Sequence, residues 1–145
     1  MFKKILVPTD GSALAAKAID IAADLAKGQG ATLVGLYVID PFPFIGFGEA
    51  SSTGLQNYMA QAQSAAGQAL DAVRHACEAR GVTFMGDTIE RNSPHQGILD
   101  TAQAEGCDLI VMGSHGRRGI QAVVLGSVAQ KVLTHASVPV LVVKG

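Results

Sequence analysis

The sequence is poor in the residues that mark several classes of protein. Its 145 residues include two cysteines, no tryptophan and only 5% aromatic side chains. Cys77 and Cys107 have neither CxxC nor metal-ligand spacing, which argues against a disulfide-stapled scaffold or a zinc motif. We interpret both as small buried hydrophobic residues in a reducing compartment. A chain of this length buries roughly two-thirds of its unfolded surface without crosslinks, so we expect one domain over residues 1–145.

An excess of charge of one sign is also missing, because 11 Lys and Arg stand against 12 Asp and Glu. This balance argues against nucleic acid and anionic lipid as partners. No apolar run approaches the roughly 20 residues of a membrane span. The apolar stretch in "MFKKILVPTDGS" is too short for the core of a signal peptide. We therefore expect a soluble, cytoplasmic protein with no membrane contact.

What the sequence does contain is a regular alternation of strands and helices. Apolar runs at 5–7, 31–40, 82–90, 108–112 and 138–143 predict five strands. Amphipathic stretches between them predict four helices, beginning after Ser12, near Leu55, after Ser93 and near Ser127. Gly28 and Gly30 are expected to end the first helix, and Gln96 to close a capping box with Ser93. Residues 41–54 have no period and are predicted to form a loop.

This alternation predicts an α/β fold, an open parallel sheet with right-handed crossovers and helices on both faces. Such sheets bind ligands beyond the carboxyl ends of their strands, where the strand order reverses. Unusual residues follow only two strands: "PTDGS" (8–12) follows the first and "GSHG" (113–116) follows the fourth. If these two strands are neighbours, both loops line one crevice.

Glycines and serines in "VMGSHGRRGIQAVVLGSVAQKVL" (111–133) indicate the chemistry of that crevice. Glycine lets backbone N–H groups approach a ligand closely, and Gly126 and Ser127 lie where a helix begins, at the positive end of its dipole. Phosphate is the natural occupant of such a site. The pattern is neither a Walker A loop nor GxGxxG. Turn glycines beside a capping serine remain the alternative.

Gly113, Gly116 and the pair Gly126-Ser127 match the G-x2-G-x9-G-[S/T] motif of the universal stress protein family, and nine positions separate Gly116 from Gly126. The segments "ILVPTDGS", "LYVID", "DLIVMGSHGR" and "VPVLVV" also resemble that family, so the resemblance spans the chain apart from residues 41–54. It implies a Rossmann-like five-stranded parallel sheet of order 3-2-1-4-5. It also implies membership of the branch that binds ATP. A divalent ion such as Mg²⁺ could bridge the phosphates of bound ATP, but the sequence names no protein ligand for it.

The resemblance assigns nucleotide contacts to twelve residues. Asp10 would contact the ribose, and the adenine would be walled by Pro8, Thr9 and the backbone of Val38. Met112 and Gly113 would lie beneath the nucleotide. Loop amides would come from Ser114, His115 and Gly116, and the phosphates would be held by Gly126, Ser127 and Val128. Relatives often carry a second serine where this chain has Ala15, which removes one polar group near the first loop.

Three of these assignments have a plainer alternative. Asp10 could be only a turn residue, Ser127 only a helix cap and Val38 only a strand packing residue. Arg117 and Arg118 could reach phosphates or only keep the loop solvated. His115 lies in the phosphate loop, but a general base needs an orienting partner and a positioned water. His75 and His95 are expected on helix surfaces and His135 in the last turn of its helix, none in a metal-ligand set.

The sequence therefore predicts an ATP-binding stress-response protein whose nucleotide occupancy changes partner recognition, with at most slow hydrolysis. The alternatives are a nucleotide hydrolase or transferase that uses the same crevice, and a dimeric scaffold that binds no nucleotide. The last strand, from Val138 to Val143, is apolar and would expose unpaired backbone at the sheet edge. The resemblance implies that it pairs with its twin in a homodimer.

Overall fold

A computed structural model describes residues 1–41, 52–116 and 125–145. The elements, in chain order, are β1 (Lys4–Pro8), α1 (Ala13–Gln29), β2 (Thr32–Ile39), α2 (Ser52–Glu78), β3 (Phe84–Glu90), α3 (Pro94–Ala104), β4 (Leu109–Gly113), α4 (Ser127–His135) and β5 (Val140–Val143). The strands form one parallel sheet in the order β3-β2-β1-β4-β5. The predicted fold class and strand order are confirmed.

The side-chain alternation of the strands divides the core into two layers. Ile5 and Val7 of β1 face α1 and α2, while Leu6 between them faces α3 and α4. All three side chains are fully buried, as expected for the central strand of a sheet covered on both faces. β3, whose sequence is more polar, lies at one edge, and β5 lies at the other. This arrangement places the ends of β1 and β4 side by side.

Several predicted boundaries were wrong by a few residues. Gly28 belongs to α1, which is ended by Gly30 in the left-handed conformation with φ 66°. The predicted loop is shorter at its far end, because α2 begins at Ser52; residues 42–51 of that loop lie outside the described residues. β5 begins at Val140, so Val138 and Pro139 precede the strand.

The start of α3 differs from the predicted capping box. Ser93 is the N-cap and Pro94 takes the first helical position, but the Ser93 side chain makes no capping hydrogen bond. Gln96 instead donates from its side-chain nitrogen Nε2 to Asp100 Oδ1 at 2.9 Å. Pro94 fixes a helical φ at the first position, which favours the start of the helix without a side-chain cap.

Candidate functional site

The first loop, between β1 and α1, is held by hydrogen bonds to its own side chains. Thr9 Oγ1 accepts a hydrogen bond from the Gly11 N–H, and Asp10 Oδ1 accepts one from the Ser12 N–H at 2.9 Å. Ser12 Oγ then caps α1 by accepting from the Ala15 N–H. Gly11 has φ 82°, a conformation that favours glycine. The sequence "TDGS" is therefore a tight, internally bonded turn, and Asp10 has the turn role proposed as its plainer alternative.

The second loop follows β4 and is tied to two other elements. The Ser114 N–H donates to the Val143 carbonyl oxygen of β5 at 2.8 Å. The Ser114 carbonyl oxygen accepts from the Gly126 N–H, also at 2.8 Å. Ser114 is buried, whereas Gly116 is exposed. The loop thus runs from the buried sheet edge to the surface beside the start of α4.

The two loops meet, as the parallel sheet requires. A Cβ atom on Gly116 would lie 3.2 Å from Asp10 Oδ2, so the Asp10 carboxylate borders the second loop. A Cβ atom on Gly113 would lie 3.1 Å from Leu14 Cγ in the first turn of α1. The crevice that the sequence predicted between the ends of β1 and β4 therefore has closely packed walls.

The start of α4 borders this crevice, and its first residue, Ser127, is exposed. The N-cap is Gly126, with φ −63° and ψ 154°, and not Ser127, which is the first helical residue. The cap alternative for Ser127 is therefore wrong, since an N-cap oxygen must precede the helix. The first intrahelical bond of the helix runs from the Gln130 N–H to the Gly126 carbonyl. Within the described part of the chain, the N–H groups of Ser127, Val128 and Ala129 have no hydrogen-bond partner.

The remaining predicted contacts lie on the walls of this region. Pro8 pairs with Leu36 across the sheet, and the Thr9 N–H donates to the Leu36 carbonyl. Met112 is buried in the layer that faces α3 and α4. The Val38 side chain packs on α3, where a Cβ on Gly97 would lie only 2.8 Å from it. Strand packing therefore accounts for the Val38 side chain, and its backbone remains a predicted adenine contact.

The two nitrogens of the His115 imidazole lie in different surroundings. Its Nδ1 lies 3.0 Å from Ser114 Oγ. Its Nε2 is buried and has no hydrogen-bond partner among the described residues. Arg117 and Arg118 lie outside the described residues, so their two predicted roles remain predictions.

The other histidines and the two cysteines lie outside the two loops that border the crevice. His75 is exposed and His135 is in the last turn of α4. Desolvation lowers the pKa of His95, with Lys131 and His135 adding to the effect. Cys77 and Cys107 are buried free thiols, as predicted. Burial raises the pKa of Cys107 to about 11, so it stays a protonated, unreactive thiol at neutral pH.

Two cavities lie outside the crevice or at its border. One of about 210 Å³ lies between the first loop and the alanine-rich face of α2, and Gln68 is among its lining residues. A larger one of about 300 Å³ lies at the opposite end of the sheet, where Cys107 and His135 line it. None of the twelve predicted contact residues lines the larger cavity.

The described residues contain no group of three or more His, Cys, Asp or Glu side chains that could hold a metal ion. Among the same residues, no helix is both long and apolar enough to cross a membrane.

Comparison with known proteins identifies the family. The model of the universal stress protein family matches residues 1–144. The chain belongs to the universal stress protein family. It is 36% identical over 144 residues to universal stress protein MJ0531 of Methanocaldococcus jannaschii, covering 99% of this chain and 83% of the relative. It is 33% identical over 150 residues to universal stress protein YxiE of Bacillus subtilis, covering 99% of this chain and all of the relative.

Solved structures of this universal stress protein family have the same fold. The structure of protein MJ0577 of Methanocaldococcus jannaschii has a TM-score of 0.86 and 30% identity, covering 100% of this chain and 97% of the other. A universal stress protein in complex with cAMP has a TM-score of 0.73 at 22% identity, covering 99% and 97% of the two chains. The Archaeoglobus fulgidus protein in complex with dAMP has a TM-score of 0.69 at 22% identity, covering 98% of each.

The sequence did not reveal how Ser114 is bonded. Its N–H and its carbonyl join β5 to the start of α4, and neither bond depends on the serine side chain. A backbone role of this kind has no residue signature. The sequence hints at these bonds only through Gly126, where a side chain would collide with the Ser114 carbonyl oxygen.

Proposed function

We propose that this universal stress protein binds an adenine nucleotide across the carboxyl ends of β1 and β4, with ATP as the ligand. The observation that carries the proposal is the start of α4, where three consecutive amides without partners in the described chain lie in the first turn of a helix. Such a turn attracts phosphate through its N–H groups and its dipole. The exposed Ser127 hydroxyl adds a further donor at the same place.

The rest of the crevice supports a nucleotide rather than a free anion. Asp10 lies at the border of the two loops, where its carboxylate can accept hydrogen bonds from ribose hydroxyls. The base would pack on a surface beside β2, which is formed by Pro8, Thr9 and the end of that strand. The cAMP and dAMP complexes formed by two proteins of this fold are consistent with an adenine nucleotide.

We propose that the nucleotide is a bound signal rather than a rapidly consumed substrate. A general base must reach the attacking water, and His115 has one nitrogen beside Ser114 and the other buried. The arrangement supports slow hydrolysis at most. A Mg²⁺ ion bound with ATP would be held chiefly by phosphates and water, which is its usual preference. Its role would be to neutralise phosphate charge.

The direct test is calorimetric titration of ATP into nucleotide-free protein, with Ser127→Ala as the matched variant. We expect the wild type to bind and Ser127→Ala to bind about tenfold more weakly, since one hydrogen bond to a charged phosphate is lost. Ser127 is not the cap, so the variant should keep its thermal stability. A wild type that binds neither ATP, ADP nor AMP would contradict the proposal and favour a scaffold.

We also propose a cytoplasmic homodimer formed through β5. This strand is a sheet edge, and Leu141 on it is 39% exposed. Because the carbonyls of Pro139 and Val143 accept bonds from β4 residues and its loop, the alternate residues Val140 and Val142 direct their backbone groups outward. Antiparallel pairing with a second copy would satisfy these groups.

Light scattering over a range of protein concentrations tests the dimer. We expect twice the chain mass for the wild type and a single chain mass for Val142→Pro, which removes an outward N–H without touching the β4 ladder. A wild type that stays monomeric at all concentrations would contradict the dimer but leave the nucleotide proposal standing.

A further inference from the structure

Gly126 has a structural reason to be glycine that does not involve a ligand. Its N–H donates to the Ser114 carbonyl oxygen at 2.8 Å. A Cβ atom at this position would lie 2.8 Å from the same oxygen and 3.3 Å from the His115 Cα. Both obstacles belong to the backbone, which cannot move aside as a side chain can. The start of α4 is thus pressed directly onto the second loop.

Ser114 is also hydrogen-bonded to the edge strand β5. Its N–H donates to the Val143 carbonyl oxygen at 2.8 Å, and the neighbouring Gly113 pairs with Val143 in the β4–β5 ladder. Ser114 is 4% exposed, so both of its backbone bonds are shielded from water. Two consecutive backbone hydrogen bonds therefore link Val143 to Ser114 and Ser114 to Gly126. We call these three residues the Val143–Ser114–Gly126 chain.

The Gly126 N–H is already used in this chain, whereas the next three amides of α4 have no partner in the described residues. We infer that Gly126 and Ser114 are positioning residues, which hold the open first turn of α4 against the end of β5, and that phosphate is contacted by the amides after Gly126 and not by Gly126 itself. This inference rests on the proposed nucleotide function for the identity of the ligand. The hydrogen bonds that carry it are present without any ligand.

Amide hydrogen exchange in the nucleotide-free, ¹⁵N-labelled wild type is the first test. Relative to intrinsic rates, we expect the Gly126 amide to exchange at least about tenfold more slowly than those of Ser127 and Val128, because only it has an acceptor. Adding ATP should slow exchange at Ser127 and Val128 and leave Gly126 almost unchanged. A Gly126 amide that is unprotected in the free protein and becomes protected only with ATP would overturn the inference.

A pair of variants separates positioning from contact. Gly126→Ala should weaken ATP binding by about tenfold or more and shift the amide signals of Ser114 and Val143. Ser127→Ala should weaken binding without shifting those two signals. Gly28→Ala, where a Cβ meets no atom within 4 Å, controls for the substitution itself. If Gly126→Ala lost affinity with Ser114 and Val143 unmoved, the positioning role would be refuted.

Failure of the proposed function remains distinguishable from failure of this inference. Exchange at Gly126 is measured without nucleotide, so it judges the Val143–Ser114–Gly126 chain even if ATP does not bind. An unfolded Gly126→Ala variant leaves the exchange experiment on the wild type decisive. Absence of ATP binding with a protected Gly126 amide would overturn only the nucleotide function and the contacts assigned to the later amides.

Discussion

Two helices begin at the crevice, and they differ in how their first turns are capped. At α1, side chains of the preceding loop satisfy the N–H groups of Gly11, Ser12 and Ala15. At α4, the N-cap is a glycine with no side chain, and only its own N–H is bonded, to Ser114. In the first turn of α1 the Ser12 hydroxyl caps the Ala15 N–H, whereas α4 has no side-chain cap and leaves its first three N–H groups without a partner among the described residues. This difference supports the proposal that the phosphates bind at the start of α4.

The largest effect is expected for a substitution of Gly126, which holds the first turn of α4 against the second loop. Gly126→Val should destabilise the fold by about 3 kcal/mol, at the upper end for overpacking, because its Cβ would meet the Ser114 carbonyl at 2.8 Å. Urea denaturation measures the change. The same experiment on Gly67→Val, at a helical position with no atom within 4 Å of a new Cβ, provides the control. Equal stability of the two variants would contradict the close contact at Gly126.

This expectation changes how a glycine substitution at the site should be interpreted. A valine at position 126 would abolish nucleotide binding by displacing the loop, whether or not phosphate approaches the glycine. Loss of binding in that variant alone does not identify a phosphate contact. Substitutions at Ser127 are cleaner, since its side chain is exposed and lies beyond the packed backbone.

The next effect tests the open amides directly. Ser127→Pro removes both the N–H and the hydroxyl of the first helical residue, so we expect ATP to bind about 100-fold more weakly, each lost bond being worth roughly tenfold. The fold should tolerate proline there to within about 0.5 kcal/mol, because it is favoured at this position. Gly126 already has the extended ψ of 154° that a residue before proline requires.

Calorimetry and thermal unfolding together decide the outcome. Ser127→Ala is the matched control, because it removes only the hydroxyl. The two variants binding ATP equally would show that the amide makes no contact with the ligand. Pro94 of α3 shows that this protein already begins one helix with proline at the first helical position.

The sequence predicted the frame of the molecule well because periodicity and burial are local signals. The apolar run of β4 and the polar alternation of β3 correctly placed these strands inside and at the edge of the sheet. Gly113 and Gly116 were correctly placed beside the first loop, which follows from the parallel order of β1 and β4.

What the sequence could not provide were contacts made by backbone atoms. The bonds of Ser114 to Val143 and Gly126 depend on where three distant segments meet, and any residue carries the same backbone groups. The choice between Gly126 and Ser127 as the cap was missed for a related reason. Serine is the commoner cap, and only the packing on Ser114 explains why glycine takes that place here.

A smaller effect is expected for a substitution of Ser12, the N-cap of α1. Ser12→Ala should destabilise the protein by about 1 kcal/mol, the usual value of a serine cap, because the Ala15 N–H loses its acceptor. ATP affinity should change less than threefold, since the Ser12 hydroxyl is bonded to its own helix and is not among the proposed nucleotide contacts. Urea denaturation and calorimetry on the same variant test both statements. A large loss of affinity with unchanged stability would show that α1, and not α4, begins at the binding site.

The smallest effect separates the two roles of Asp10. Asp10→Asn keeps an oxygen that can accept from the Ser12 N–H, so stability should stay within about 0.5 kcal/mol of the wild type. Asp10→Ala removes that acceptor and should cost about 1 kcal/mol. If the carboxylate also binds ribose, ATP affinity should fall in both variants and fall further in Asp10→Ala, because an amide oxygen still accepts from a hydroxyl. Unchanged affinity in Asp10→Ala would leave Asp10 with a role in the turn and no contact with the nucleotide, so that the first loop would contribute to binding only through the base surface proposed at Pro8 and Thr9.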